Sequence, residues 1–375
     1  MQRRQFLQAT ATCSALAMSN RVVLGDSGNR IKVGQIGTTH AHAAGQIETV
    51  RKLEELYEVV GVVEPDATRR QQLEGHRAYN GVRWLTEEEL LNTPGMQVVA
   101  VETEVRDALA TAARCIEAGV HVYLDKPAGE SLSELVNLHR AARDRSLTIQ
   151  MGYMYRYNPA FKFVFQAVRD GWLGQVFEVH GVMSKTVNNS TRRELAAYQG
   201  GSMFELGCHL IDPLLFLMGT PQNVTSFNRQ TRPDDNLLDN TFAVFEYERA
   251  TASIRSALVE VDGFRRRQFV VCGDQGTIVI RPLEPPQLEM TLRQKHGEFD
   301  RGSYIVELPS SPGRYHGAWT ELAEVIRGEK KFPFSHEHDI AVQRSILVAS
   351  GYTSWREAKR KETKRSQETT DQKGE

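Results

Sequence analysis

Cysteine is scarce: Cys13, Cys115, Cys208 and Cys272 are the only four in 375 residues, far apart and without a C-x-x-C pair. That excludes a disulfide-rich scaffold and a thiolate zinc centre. Positive charge is not in excess, because 46 Lys and Arg face 47 Asp and Glu for a formal net charge of −1. A general polyanion binder would be clearly basic, so no nucleic-acid partner is expected. No apolar run approaches the roughly 18 residues of a membrane span, and no stable membrane insertion is expected. What remains is an ordinary globular composition, 40% hydrophobic, 8% aromatic and 25% charged. At roughly 150 residues per domain, this length argues for two domains, each with its own core.

The ends stand apart from the fold. Arg3 and Arg4 lie just ahead of Phe6 and Leu7, and a mildly apolar small-residue stretch follows, with Ala15-Leu-Ala17 as a cleavage signal. This pattern predicts a twin-arginine export signal and linker over residues 1–30. The protein is then periplasmic or otherwise exported, and cytoplasmic if the signal is not functional. Residues 356–375 are dense in Lys, Arg, Glu, Gln and Thr without apolar periodicity. They are expected to form a solvated charged tail.

Between about 31 and 150, short apolar strands alternate with helical segments. Ile31–Ile36, Tyr57–Val63, Gln97–Val101 and His121–Leu124 read as strands. Helices are expected from His40 to about Leu56, from Asp107 to Ala118, and from a Ser131-x-x-Glu134 capping box to about Arg143. Such alternation predicts a parallel sheet covered on both faces, with ligands bound beyond the carboxyl ends of its strands. Gly34 and Gly37, followed by Thr38, Thr39 and His40, occupy the end of strand one, where glycine lets a helix N-terminus approach a pyrophosphate. Glu64 ends strand two. A carboxylate there accepts ribose hydroxyls and repels a 2′-phosphate, which favours NAD over NADP. Glu102 and Glu104 add negative charge after the strand ending at Val101. Lys126, in Asp125-Lys126-Pro127, brings an ammonium to the same edge, able to polarise a carbonyl or donate a proton.

From about 151 to 355 the segments read mostly as strands and suggest a largely antiparallel sheet. Tyr155, Arg156 and Asn158 sit at the domain junction, a common place for a pocket, and are candidate substrate contacts. The segment from Gly200 to Gly219 reads as an apolar helix capped by Ser202. Glu205, His209 and Asp212 share one face of it at i, i+4 and i+7. The expected purpose is an imidazole held in one tautomer by a carboxylate and facing a cleft, with Asp212 also a substrate candidate. His40-x-His42 and His336-x-His338 are i,i+2 pairs, which do not converge on one ion from a helix although in a strand or loop they could. No metal is expected.

These pieces resemble the Gfo/Idh/MocA oxidoreductase family over roughly residues 31–350. The matching motifs are Val33-Gly-Gln-Ile-Gly37, Val62-Val-Glu-Pro-Asp66, Asp125-Lys-Pro127, Tyr155-Arg-Tyr-Asn-Pro159 and Gly200-Gly-x-x-x-Glu-x-Gly-x-His-x-x-Asp212. The resemblance implies an α/β chain: a doubly wound parallel Rossmann sheet, then an α+β domain with a large, open, mostly antiparallel sheet that often mediates homo-oligomers. It implies NAD(P)-dependent oxidation or reduction of a hydroxyl or keto group on a sugar, polyol or related carbohydrate. Lys126 matches the catalytic lysine and His209 the acid/base histidine, while Glu205 stands where the family usually has Asp. Two alternatives share the scaffold: a redox-neutral, NAD-dependent enzyme that cleaves glycosides or eliminates, and a non-catalytic ligand or nucleotide sensor.

Overall fold

The computed structural model describes residues 30–360. The expected export signal, through residue 29, and residues 361–375 of the expected tail lie outside the described residues.

The first half runs β1 (Ile31–Ile36), α1 (Ala43–Lys52), β2 (Tyr57–Val63), α2 (Ala67–Leu73), β3 (Trp84–Leu85), α3 (Glu87–Leu91), β4 (Met96–Val101), α4 (Val105–Glu117), β5 (His121–Leu124), α5 (Leu132–Asp144) and β6 (Ile149–Met151). Their apolar, β-branched sequences form a parallel sheet in the order β3-β2-β1-β4-β5-β6. Strand order reverses between β1 and β4, the switch point beyond which such sheets bind ligands. Ser131 caps α5, its hydroxyl accepting from the Glu134 amide at 3.3 Å.

The second half runs α6 (Pro159–Arg169), β7 (Val176–Ser184), α7 (Asn189–Leu195), α8 (Cys208–Met218), β8 (Asn223–Arg229), β9 (Asn240–Glu246), β10 (Thr251–Ala257), α9 (Gly263–Arg266), β11 (Gln268–Gly273), β12 (Gly276–Leu283), β13 (Pro286–Leu292), β14 (Gly302–Val306), α10 (His316–Ile326) and α11 (His336–Ala349). The eight strands form one sheet, β14-β13-β12-β11-β7-β10-β9-β8, antiparallel except where β7 meets β10. The fold class is therefore a Rossmann sheet plus a second, mostly antiparallel domain.

The chain also returns to its first layer. Trp319 of α10 is buried against Tyr123 of β5, with ring centroids 4.6 Å apart, and its indole N–H donates to Gln46 of α1 at 2.9 Å. The Tyr57 hydroxyl donates to the Trp319 carbonyl at 2.7 Å. This docking carries Arg314 and Tyr315, just before α10, to the ligand edge of the first sheet.

The expected single helix from Ser202 is interrupted. Met203–Gly207 forms a wide π turn, with the Cys208 amide donating to the Met203 carbonyl, before α8 begins. Ser202 does not cap it; its buried hydroxyl meets Thr241 at 2.8 Å and the Ser256 carbonyl at 3.1 Å. A π turn adds a residue to the helical circuit, so side chains four apart across it no longer stack. This displaces Glu205 from the His209 face.

Candidate active site

Gly37 ends β1 with φ +87°, and a Cβ there would lie 2.7 Å from the Thr103 amide nitrogen and 2.8 Å from the Glu102 carbonyl oxygen. Only glycine passes this turn between the ends of β1 and β4 without strain. Beyond it α1 begins with no side-chain cap, the Ala43 amide donating to the His40 carbonyl at 3.1 Å. Glu64 is buried at the end of β2, accepting from the Thr38 hydroxyl at 2.5 Å and the Asp66 amide at 3.1 Å. Arg69 Nε donates to the Thr38 hydroxyl at 2.6 Å. Thr38 is thus engaged within the loop rather than free for phosphate, while Thr39 is exposed at its rim. Gly34 has a different role from the one expected. It lies inside β1, where a Cβ would fall 2.6 Å from a Leu90 methyl, so it permits sheet-to-α3 packing and does not face a ligand.

Lys126 and Glu205 come together. The Lys126 ammonium donates to the Glu205 carbonyl at 3.0 Å and lies 3.4 Å from the Glu205 carboxylate. Burial works against the ammonium, but the charge of Glu205 and its neighbours outweighs it and raises the lysine pKa. Burial likewise opposes the Glu205 carboxylate, and Lys126 with Lys185 holds its pKa below the usual value. The expected Glu205–His209 contact is absent, for the π turn directs Glu205 to the lysine instead.

His209 is 2% exposed, and its Nδ1 has no hydrogen-bond partner among the described residues. Burial first, then the charges of Lys126 and His42, push its pKa well below 6.5. It is a neutral imidazole, with His42 at 6.1 Å and Tyr155 at 6.0 Å between ring centroids. No carboxylate fixes its tautomer.

Asp212 does not do so because it is spent on Arg156. Arg156 Nη2 and Nε donate to Asp212 Oδ1 at 2.6 and 3.0 Å, and Nη2 also reaches Asp339 at 2.5 Å. His338 lies 3.1 Å from Asp212, and the guanidinium stacks over Phe334 at 4.0 Å. All three charged residues are buried and bonded to one another, so in this structure the pair serves the core joining α8 and α11. Asn158 is likewise engaged: its side chain caps α6, accepting from the Ala160 amide at 2.9 Å. Tyr155 remains beside His209, its hydroxyl 3.5 Å from Glu284.

Sequence reasoning missed Glu284, Arg314 and Tyr315. Arg314 bonds Glu284 at 2.7 Å, and Tyr315 stands 5.5 Å from His42 between ring centroids. No local pattern marks them, because they arrive from separate loops.

The His40-x-His42 pair, which on a helix would not converge on one ion although in a loop it could, lies in the turn ahead of α1. Both rings reach Asp125: His42 Nδ1 at 3.0 Å and His40 Nδ1 at 3.6 Å, the latter also 3.4 Å from Glu102. Burial opposes a charge on His40, yet Asp125 and Glu102 raise its pKa to about 9. Burial, then Asp125, pushes Glu102 up to about 8.

An ammonium and a neutral imidazole thus share a buried space at the switch point, which equips it for proton transfer at a hydroxyl or carbonyl. Comparison with known proteins identifies the family. Residues 31–153 match the family model described as an oxidoreductase family with NAD-binding Rossmann fold, and residues 161–279 match that of the GFO/IDH/MocA C-terminal domain. Scyllo-inositol 2-dehydrogenase (NADP(+)) IolW of Bacillus subtilis (strain 168) is 23% identical over 282 residues, covering 70% of this chain and 78% of its own. The structure of aldose-aldose oxidoreductase from Caulobacter crescentus, complexed with glycerol, superposes with a TM-score of 0.73 at 18% identity, covering 86% of this chain and 97% of that one. That of a levoglucosan dehydrogenase with NADH and levoglucosan gives 0.74 at 15% identity, covering 85% and 96%. These last two are likenesses of fold.

Proposed function

The chain belongs to the Gfo/Idh/MocA oxidoreductase family, with an NAD(P)-binding Rossmann domain, and from that premise we propose that it is a dehydrogenase acting on a hydroxyl or keto group of a sugar, polyol or related carbohydrate. The observation that carries this reading is the buried pairing of Lys126 with Glu205 beside a neutral His209 at the ligand edge of the dinucleotide sheet. A relative named for scyllo-inositol dehydrogenation supports the substrate class.

The residues fit a nicotinamide dinucleotide: the left-handed Gly37 turn, the uncapped start of α1 and the carboxylate of Glu64 each match one part of it. Glu64 favours NAD over NADP. When bound, the dinucleotide supplies the hydride acceptor or donor. His209 takes the proton of the substrate hydroxyl in oxidation and returns it in reduction. Lys126 donates a hydrogen bond to the same oxygen and stabilises the charge that develops there. Glu205 keeps that ammonium charged and aimed. Tyr155 borders the substrate space.

Absorbance of NADH, followed with NAD and a panel of sugars and polyols, tests the reading. Turnover by the wild type that is lost in Lys126→Met supports it, and full activity in that variant overturns it. Product analysis without added dinucleotide separates net oxidation from redox-neutral cleavage.

Two further proposals concern the whole protein. Residues 1–30 act as a twin-arginine export signal, so replacing Arg3 and Arg4 by Lys should retain the protein in the cytoplasm on fractionation. Copies associate through the eight-stranded sheet, whose residues Phe227 and Ile305 are 47% and 81% exposed; sedimentation of the purified protein tests this.

A further inference from the structure

His40, His42 and Asp125 take no part in the proton transfer above, yet each offers a ligand atom, and these atoms all lie within 4.8 Å of one another. Glu102, just after β4, adjoins the cluster at His40. The separations are 3.0 Å from His42 Nδ1 to Asp125, 3.6 Å from His40 Nδ1 to Asp125, and 3.4 Å from His40 Nδ1 to Glu102. Bonds of about 2.1 Å to nitrogen and oxygen around a tetrahedral ion place neighbouring ligands roughly 3.4 Å apart, inside this range.

Two independent features suit the cluster to a cation. Glu102 is fully buried, and neither of its carboxylate oxygens has a hydrogen-bond partner among the described residues. A buried carboxylate in that condition is costly unless a positive charge stands against it; a proton on His40 Nδ1, 3.4 Å away, is one such charge, and a metal ion on the same nitrogen would take its place. The second feature is the His40 ring. Its Nε2 lies 3.1 Å from the Lys126 carbonyl, which can only accept, so once an ion displaces the proton on Nδ1 the ring keeps its hydrogen on Nε2. The lone pair then falls on Nδ1, turned towards Asp125 and Glu102. A histidine whose far nitrogen donates to a backbone carbonyl while the near one faces carboxylates has the orientation of a metal ligand. Nδ1 also receives the His42 amide at 3.2 Å, a contact an ion would replace.

We propose that His40, His42 and Asp125, with Glu102 beside His40, form a binding site for a divalent transition cation of the zinc class. Two neutral imidazoles and two carboxylates balance a charge of +2, and this donor set suits zinc and its first-row neighbours. Bound there, the ion cancels negative charge beside the phosphate-binding turn. The other cluster of ligand type, Asp212, His338 and Asp339, is filled by the Arg156 guanidinium and takes no ion.

The test uses the full chain, stripped with a chelator and titrated calorimetrically with Zn²⁺, with Co²⁺ absorption spectra recorded in parallel. The expected result is one ion per chain, Co²⁺ bands of a nitrogen and oxygen environment without thiolate charge transfer, and affinity at least about tenfold weaker in His42→Ala and in Glu102→Gln. The Co²⁺ spectrum of the wild type decides even if a variant misfolds. No saturable binding, or binding untouched in both folded variants, overturns the proposal. NADH binding by the same stripped protein is read separately, so failure of the ion site leaves the oxidoreductase reading standing.

Discussion

The ammonium of Lys126 is held by both ends of one residue, the Glu205 carbonyl at 3.0 Å and the Glu205 carboxylate at 3.4 Å. This double contact fixes the lysine at the switch point and keeps it charged despite 1% exposure. Lys126→Met should lower kcat/KM by about 10²- to 10³-fold, the scale for losing one preorganised donor, with an unchanged circular dichroism spectrum. Steady-state kinetics on the folded variant checks it.

The pKa of His209 lies well below 6.5, so the ring is neutral and able to accept a proton throughout the neutral range. A base with a depressed pKa is lost only as pH falls through that lowered value. The acid limb of kcat/KM for oxidation should therefore appear below pH 6.5, and His209→Asn should abolish it together with most of the rate. A limb centred above pH 7 would assign the base elsewhere.

Arg156 should act on stability rather than on substrate. Arg156→Met leaves Asp212 and Asp339 buried without their cation, at a cost of about 3–5 kcal/mol. Urea denaturation should show that loss. A raised KM with unchanged stability would return Arg156 to the substrate site.

His139 gives the fold an acid sensitivity. Burial lowers its pKa from 6.5 to about 4, and its Nδ1 lies 2.8 Å from that of His336 at the start of α11. Because the folded value is depressed, its contribution is fully present above pH 6.5 and declines as pH falls towards 4. The slope is about 1.4 kcal/mol per pH unit, or about 2 kcal/mol between pH 6.5 and 5. His139→Leu should flatten that part of the stability profile, measured by urea denaturation at pH 7 and pH 5.

The parallel sheet was legible because its strands are nearly continuous apolar runs and its ligand edge follows from topology. That rule led to Gly37, Glu64 and Lys126 from short motifs. Partners set by distant chain were not legible. Arg156 looks like a polar residue at a junction, and only Asp339, 183 residues away, makes it a core residue. Glu205 was assigned to His209 on α-helical spacing, which the π turn breaks. The first helix, expected from His40, begins at Ala43, which leaves the His40-x-His42 pair in the turn before it. The return of α10, which brings Tyr315 beside His42, has no counterpart in local periodicity.

The most direct test of the account is calorimetric titration of the purified protein with NADH, after mass spectrometry of any nucleotide released on denaturation. The account predicts NAD or NADH in the released material, or saturable NADH binding by the stripped chain, weakened in Glu64→Ala. The absence of both a retained dinucleotide and measurable NADH binding would contradict it.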